Sequence, residues 1–115
     1  MAGFGQLPTV DIVLGVQLED IPEGQPCMFC DHPTERVFLE HVCYGSKVKV
    51  RGQVAGYRCT SCHTSYFSPE GSIESLGNAC GIMREYGDQE TAASFEKCIQ
   101  SIQRAVERGI VLVEW

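Results

Sequence analysis

Four cysteines in two closely spaced pairs are the residues of this sequence best suited to chemistry. Cys27 and Cys30 enclose two residues, 28 residues follow, and Cys59 and Cys62 enclose two more. Two residues between cysteines let both sulfurs of a tight turn face one cation, so each pair supplies half of a tetrahedron. Together the pairs predict a closed four-thiolate site that holds one structural zinc ion, with no position left for water or substrate.

Other uses of the same cysteines place different demands on the sequence. A disulfide scaffold needs an oxidising compartment and usually an even number of cysteines, whereas this chain has seven. A rubredoxin-like iron site uses the same four sulfurs, but glycine usually follows each turn there, and here Asp31 and His63 follow. A thioredoxin-like redox pair would open a helix after a strand, which neither pair does in the predicted elements. Zinc is therefore the favoured interpretation.

Two histidines lie beside the cysteine turns and compete with the cysteines as ligands. His32 comes two residues after Cys30, and His63 directly follows Cys62. Either ring could replace a cysteine or hydrogen-bond to a sulfur from outside the ligand set, although a histidine on a surface turn is the simpler interpretation. The remaining cysteines are interpreted as small core residues, namely Cys43, Cys80 and Cys98.

The spacing of apolar residues predicts the strands that position these turns. Apolar residues at every second position over 10–18 predict a half-buried strand. A second strand is expected over 34–41. A third starts at 47–51, where apolar residues alternate with basic ones, so that one face is buried and the other is positive. A short strand over 64–67 follows the second cysteine turn.

Glycines are expected to interrupt regular structure in two places. Gly52 and Gly56 fall within the third strand and predict a bulge or a bend before the second cysteine turn. Gly71, Gly77 and Gly81 fall within the helix that follows, and each costs a helix about 1 kcal/mol relative to alanine. We therefore expect that helix to be irregular or broken.

Two helices are predicted after the second cysteine turn. The first begins at Ser68, Pro69 and Glu70, which combine an N-cap, a proline in the first turn and an acidic residue. Gly87 and Asp88 separate it from the second, which ends at 108–109. Each helix carries an apolar stripe at steps of three and four. The stripe residues are Ile73, Leu76, Cys80 and Met83, then Ala92, Phe95, Ile99, Ile102 and Val106.

The predicted fold class is α+β: a four-cysteine, zinc-ribbon-like β-hairpin with flanking strands and two C-terminal helices. An apolar run at 110–115 predicts a last strand, paired with the strand at 10–18. The expected units are an N-terminal strand and linker at 1–26, a zinc-binding β domain at 27–68, and a helical region with the last strand at 69–115. All three are expected to pack as one domain.

The distribution of charge bears on the partners. The net charge is −6, but residues 36–63 hold five bases against one acid, while the flanking regions are acidic. The acidic regions favour a basic protein partner. The basic strand makes nucleic acid an alternative partner. The simplest interpretation of its charge is a solvated hairpin face. The candidate nucleic-acid-binding residues are Lys47, Lys49, Arg51 and Arg58.

Several classes of protein find no support in the sequence. No apolar run is long enough to span a membrane, and the first five residues lack the features of a secretory signal, so we expect a reducing cytoplasm. No nucleophile motif, phosphate-binding glycine loop or His-Glu-x-x-His motif occurs, so we expect no catalytic activity. The apolar stripe at 92–106 and the run at 110–115 fit a homodimer and a monomer core equally well.

The segment from Cys27 to Glu70 resembles the YgiT-type zinc finger, the N-terminal domain of MqsA-type antitoxins. The resemblance rests on both cysteine pairs, on Val-Ala-Gly-Tyr at 54–57 and on Thr-Ser-Tyr-Phe-Ser-Pro-Glu at 64–70. It implies that the four paired cysteines bind zinc and that the domain neutralises a small basic ribonuclease toxin. The family represses transcription through a separate helix-turn-helix domain, which this sequence does not match, so we do not expect repression.

Overall fold

Four strands form one sheet, and two helices follow it, in an α+β fold. The structure is a computed structural model that describes residues 7–109. It confirms the predicted α+β class. The elements are β1 (Thr9–Ile12), a 3-10 turn (Leu18–Asp20), β2 (Thr34–Tyr44), β3 (Lys49–Cys59), β4 (Ser65–Phe67), α1 (Pro69–Glu85) and α2 (Gln89–Glu107). Within this part of the chain, no helix is both long and apolar enough to cross a membrane.

A long antiparallel hairpin, β2 with β3, forms the centre of the fold. Its register runs without interruption from the pair Tyr44–Lys49 to the pair Thr34–Cys59. At the closed end, the Gly45 amide donates to the Val48 carbonyl at 2.9 Å. The open end of the hairpin lies beside both cysteine turns, because one turn precedes β2 and the other follows β3.

Strand β3 has neighbours on both of its edges and atoms packed on both of its faces. Opposite β2, it pairs with β1 in parallel, from Thr9–Lys49 to Ile12–Gly52, and further along with β4 in antiparallel orientation. Successive side chains of a strand point to opposite faces. The four consecutive residues at 54–57 are nevertheless all buried, so both faces of the sheet are covered there.

Two hydrophobic cores lie on the two faces of the sheet. On the helix face, Val48 and Val50 pack with Leu76 and Met83 of α1. The opposite face, here called the open face, carries a second core at the end near the cysteines. Its buried residues are Ile21, Cys27, Ala55, Tyr57, Cys59 and Tyr66. The sheet therefore joins a helical half to a half that contains the cysteines.

The predicted strand at 10–18 is only partly correct, because β1 ends at Ile12. The reason is a contact that the sequence pattern does not show: the Glu74 side chain on α1 accepts hydrogen bonds from the amides of Gly15 and Val16 at 2.9 and 3.0 Å. The alternating residues Val16 and Leu18 instead pack against the open-face core. Strand β1 pairs with β3, and the predicted partner at 110–115 lies outside the described residues.

The predicted bulge in β3 is wrong, because its two glycines allow close packing within a regular strand. A Cβ atom at Gly52 would lie 2.9 Å from Cγ1 of Ile12, and one at Gly56 would overlap the carbonyl oxygen of Tyr66. Gly52 thus makes room for β1, and Gly56 makes room for β4. The continuous pairing of β3 with β2 follows from these contacts.

The predicted break in α1 is also wrong, since α1 is continuous over 17 residues. Gly71 lies where a Cβ atom would come 2.7 Å from Val54, so its small size lets the helix approach the sheet. Of the predicted stripe, Leu76, Cys80 and Met83 are buried. Packing of this face outweighs the intrinsic cost of the three glycines.

The predicted helix boundaries are confirmed. The Ser68 hydroxyl accepts from the Gly71 amide at 3.0 Å, and Gly87 has a φ of 82°. The Asp88 carboxylate accepts from the amides of Thr91 at 3.2 Å and Ser46 at 2.7 Å, so it also ties α2 to the hairpin turn. The pKa of Asp88 is lowered to about 2, mainly by the hydrogen bond from the Ser46 amide and to a lesser degree by the contacts with Thr91. In the second stripe only Ala92 is buried.

Replacing Gly56 by alanine should destabilise the fold by about 1–3 kcal/mol, because the added methyl group must displace β4. The free energy of unfolding, measured by urea denaturation, tests this. Gly77→Ala is the matched control, since nothing lies within 4 Å of its Cβ position. The control should gain up to about 1 kcal/mol from helix propensity. Equal effects of the two substitutions would contradict the packing role of Gly56.

Candidate metal centre

The structure brings together the sulfur atoms of Cys27, Cys30, Cys59 and Cys62, all within 4.8 Å of one another. The Sγ atoms of Cys27 and Cys62 are 3.6 Å apart, and Cys30 lies 3.4 Å from Cys59 and 3.7 Å from Cys62. All are free thiols. A tetrahedral ion with metal–sulfur bonds of about 2.3 Å sets its ligands about 3.8 Å apart. The cluster therefore has the dimensions of a four-thiolate metal site.

Backbone hydrogen bonds hold the two cysteine turns against each other at the open end of the hairpin. Within the first turn, the Cys27 amide donates to the His32 carbonyl at 2.9 Å. In the second, the Cys59 amide donates to the Thr64 carbonyl at 2.9 Å. The Thr60 amide links the turns by donating to the Pro33 carbonyl at 3.2 Å. The position of the sulfurs is thus fixed by the backbone as well as by the side chains.

Each cysteine turn directs backbone amides at its own first sulfur. The Phe29 amide lies 3.4 Å from Sγ of Cys27, and those of Ser61 and Cys62 each lie 3.4 Å from Sγ of Cys59. Such donors favour the thiolate over the thiol. Both turns are therefore prepared to present negative sulfurs to a cation.

The residue after each turn adopts a left-handed backbone conformation. Asp31 and His63 both have a φ of 63°, a region that glycine occupies without cost and most other residues avoid. The two turns thus have the backbone shape expected of a turn followed by glycine, although neither position is glycine. In the sequence analysis, the absence of glycine at these positions favoured zinc over iron. The backbone shape of the two turns does not distinguish the two metals, because it is the same as that of a turn followed by glycine.

Neighbouring groups shift the pKa values of the clustered cysteines in opposite directions. A hydrogen bond from Tyr66, with lesser help from amides, lowers the pKa of Cys27 to about 6 against the effect of burial. For Cys30, the His32 amide acts to lower the pKa, but the nearby sulfurs and burial outweigh it and raise the pKa to about 12. Four thiolates so close together need a compensating charge. A divalent cation would supply it, and its binding would release protons.

Two hydroxyl groups contact the sulfurs from outside the ligand set, and the sequence analysis missed both. The hydroxyl of the fully buried Tyr66 lies 3.3 Å from Sγ of Cys27, and Thr64 Oγ1 lies 3.1 Å from Sγ of Cys62. Burial, followed by the contact with Cys27, raises the pKa of Tyr66 to about 12, so this hydroxyl keeps its proton as a donor. The sequence did contain one signal for these contacts. The short strand predicted directly after Cys62 has to run back past the cysteine turns, which brings its side chains near the sulfurs.

The four sulfurs differ in their access to solvent. Cys27 and Cys59 are buried, Cys30 is partly buried and Cys62 is exposed. Among residues 7–109, these cysteines form the only group of three or more potential ligands close enough to hold a metal ion. Neither neighbouring histidine belongs to it: His32 is exposed, with its Nδ1 3.1 Å from the Cys30 carbonyl, and His63 is exposed.

The remaining cysteines only partly match their predicted place in the core. Cys43 and Cys80 are buried in the helix-face core, whereas Cys98 is exposed. The prediction is wrong for Cys98 because this residue lies beside the α2 stripe rather than on it. Burial raises the pKa of Cys43 to about 11 and also raises the pKa of Cys80, so burial disfavours the thiolate form of both residues.

The four candidate nucleic-acid-binding residues do not meet on one surface. Arg51 pairs with Asp11, with Nε 2.7 Å from Oδ1, and the pKa of Asp11 is lowered by that hydrogen bond. Lys47 donates to the Gly87 carbonyl at 3.3 Å. Strand alternation places Lys49 with Arg51 on the open face and Arg58 on the other face. The positive charge is therefore dispersed.

Comparisons with protein-family models, with curated proteins and with solved structures found no match to this chain. The resemblance to the YgiT-type zinc finger therefore remains a prediction from the sequence. What the centre can do follows from its own geometry: four thiols, two of them buried, with donors aimed at their sulfurs and the dimensions of a closed tetrahedral site.

Replacing Tyr66 by phenylalanine should weaken metal binding about 10–100-fold, because it removes a hydrogen bond to a ligand sulfur from outside the ligand set. Competition with a chromophoric chelator measures this affinity. Tyr57→Phe is the matched control, since its hydroxyl donates to the Pro22 carbonyl at 2.9 Å and not to a sulfur. An affinity that falls equally in both variants would show that the effect is a general loosening of the open-face core.

Proposed function

We propose that the four-cysteine cluster holds one zinc ion as a structural cross-link, and that the chain is a non-catalytic protein–protein interaction domain. The observation that carries the proposal is the convergence of four sulfurs from two distant turns to within 4.8 Å. The cluster is the only such group in the described part of the chain.

The zinc ion would stabilise the open end of the hairpin, where both cysteine turns lie. Zinc suits four cysteine sulfurs in a tetrahedral site, and it is not redox-active. Structural zinc contributes about 10–16 kcal/mol in small zinc-finger peptides at neutral pH. The open-face core around Ile21 and Tyr57 is small, and a cross-link of this strength would hold both turns against it. Iron in an electron carrier is the alternative that the shape of the turns also accommodates.

Three features of the centre and of the described surface fit a binding role. A four-thiolate ion has no open position for a substrate. A groove of about 470 Å³ on the open face is lined by no acid, base or thiol; its residues are Ile12, Val13, Leu14, Gln17, Phe38 and Gln53. Met28 and Phe29, at the tip of the first cysteine turn, are 56 and 71% exposed. Apolar side chains so presented fit a protein contact.

The partner we propose is a small basic protein, as for a YgiT-type, antitoxin-like domain in the cytoplasm. The net charge of −6 supports attraction to a basic surface. In the first 35 residues there are six acids and no lysine or arginine, and this region includes the exposed cysteine turn. Nucleic acid has less support, because the candidate basic residues are dispersed and Arg51 is already paired.

Metal analysis of the purified chain should find one zinc per chain and no visible colour. Cys59→Ser should lose the metal and lower the melting temperature, because it removes a buried ligand. Cys98→Ser is the matched control. It should keep the metal and the wild-type melting temperature, since Cys98 is exposed and outside the cluster. A coloured, iron-containing sample, or zinc retained in Cys59→Ser, would contradict the zinc proposal.

Immobilised zinc-loaded chain should retain one discrete basic protein from native extract at low salt. The double substitution Met28→Ser and Phe29→Ser should reduce that retention at least tenfold while leaving the zinc content unchanged, because both side chains are exposed at the turn. Recovery of no partner, or equal retention by the variant, would count against the interaction role. The zinc content is measured separately, so the two parts of the proposal can fail independently.

A further inference from the structure

The outer edge of β2 is a long strand edge with nothing paired to it in the described part of the chain. The order of strands is β1-β3-β2, so β2 is an edge strand of 11 residues. Natural edge strands are usually shortened, bulged or protected by charged side chains, especially lysine, or by proline. Strand β2 contains no lysine or proline, its register shows no bulge, and, histidine aside, Glu40 is the one acidic or basic residue of its second half.

The alternation of backbone groups shows which residues face outward. The Gly45 amide bonds to the Val48 carbonyl, which marks the odd-numbered residues of β2 as the ones that bond to β3. The Thr34 amide, at an even position, points the other way and donates to the Gln25 carbonyl at 3.2 Å. Even-numbered residues therefore direct their amides and carbonyls to the outer edge.

Among residues 7–109, only the first half of this edge is covered. Near its start, Thr34 bonds to Gln25, and the Arg36 side chain donates to the carbonyls of Leu18 and Ile21 at 3.0 and 3.2 Å. Beyond that point the outward residues are Phe38, Glu40, Val42 and Tyr44. Their backbone groups have no hydrogen-bond partner among residues 7–109. The free edge, here called the 38–44 edge, is about 20 Å long.

The 38–44 edge is complementary to itself. Its four outward residues are symmetric about His41, so a twofold axis there pairs Phe38 with Tyr44 of a second copy and Glu40 with Val42. These aromatic side chains are 43 and 66% exposed, and aromatic pairs across strands are stabilising. Four residue pairs, each exchanging two backbone hydrogen bonds as outward residues do in an antiparallel ladder, give eight bonds.

Two other twofold registers of this edge are disfavoured by charge or by coverage. An axis through Glu40 would place two glutamates directly opposite each other, and like charges in that position are destabilising. An axis through Phe38 would need the backbone of Thr34, whose amide is already bonded to Gln25. The axis at His41 uses every free group and opposes no like charges directly.

We propose that the 38–44 edge binds the same edge of a second copy of this chain, so that the two sheets become one continuous antiparallel sheet. The occupant is a second copy because the outward residues match themselves in hydrogen bonding, aromatic pairing and charge. This surface differs from the α2 stripe, which in the sequence fits a dimer and a monomer core equally well. It does not depend on the proposed metal or on a basic partner.

Analytical ultracentrifugation of the full, metal-loaded chain tests the proposal, with Val42→Pro as the disruptive variant. Proline removes an amide that points outward, so no bond to β3 is lost. The wild-type chain should sediment with twice the mass of one chain, and Val42→Pro with the mass of one. Val42→Thr is the matched control: it keeps the amide and the branched side chain and should remain a dimer.

Amide hydrogen exchange measured by NMR locates the interface. The amides of Phe38, Glu40, Val42 and Tyr44 should exchange at least tenfold more slowly in the dimer than in the Val42→Pro monomer. If Val42→Pro fails to fold, the double substitution Phe38→Lys and Tyr44→Lys replaces it, because this places two lysines opposite each other without altering the backbone. That variant should also be monomeric.

Three results would overturn the proposal. The first is a wild-type chain that stays monomeric up to millimolar concentration. The second is a dimer that persists in both disruptive variants with the four amides unprotected, which would assign the contact to another surface. The third is protection of these amides only after a basic partner is added, which would assign the edge to a strand of that partner.

Discussion

The register of the β2–β3 hairpin is the constraint on which the rest of the structure depends. Cys59 lies opposite Thr34 at the open end of the hairpin, and the two cysteine turns are continuous with those strand ends. A shift of one residue reverses the face of every side chain in a strand. Such a shift would turn Cys59 toward the helices and away from Cys27. The four sulfurs therefore come together only when the strands pair in the correct register.

That requirement explains why β3 carries residues of such different sizes. It must accept β1 at Gly52, β4 at Gly56, α1 over Val54 and the second core at Tyr57, all within a few residues. Small residues lie where another backbone approaches, and large ones lie where a core must be filled. Helix α1 repeats this logic at Gly71, which lets the helix lie directly on the sheet.

Local features could be predicted from the sequence, and long-range contacts could not. The cysteine spacing, the caps at Ser68 and Asp88 and the turn at Gly87 depend on near neighbours, so their patterns sufficed. The short β1 depends on Glu74, which is 59 residues from Gly15, and the role of Gly56 depends on the carbonyl of Tyr66. When its contacts in the fold are unknown, a glycine within a strand or helix predicts an interruption of that element. In this fold Gly56 instead permits the close packing of β4. The contact between Tyr66 and Cys27 was missed for the same reason.

The unequal burial of the four sulfurs has a kinetic consequence. A metal ion held by this cluster would be shielded by protein at Cys27 and Cys59, and it would face solvent at Cys62. An incoming chelator or a competing thiol would have to displace Cys62 from the metal first, whatever the strength of the bonds to the other three sulfurs. The rate of metal exchange would thus be governed by a single residue, while the equilibrium affinity belongs to the whole tetrahedron.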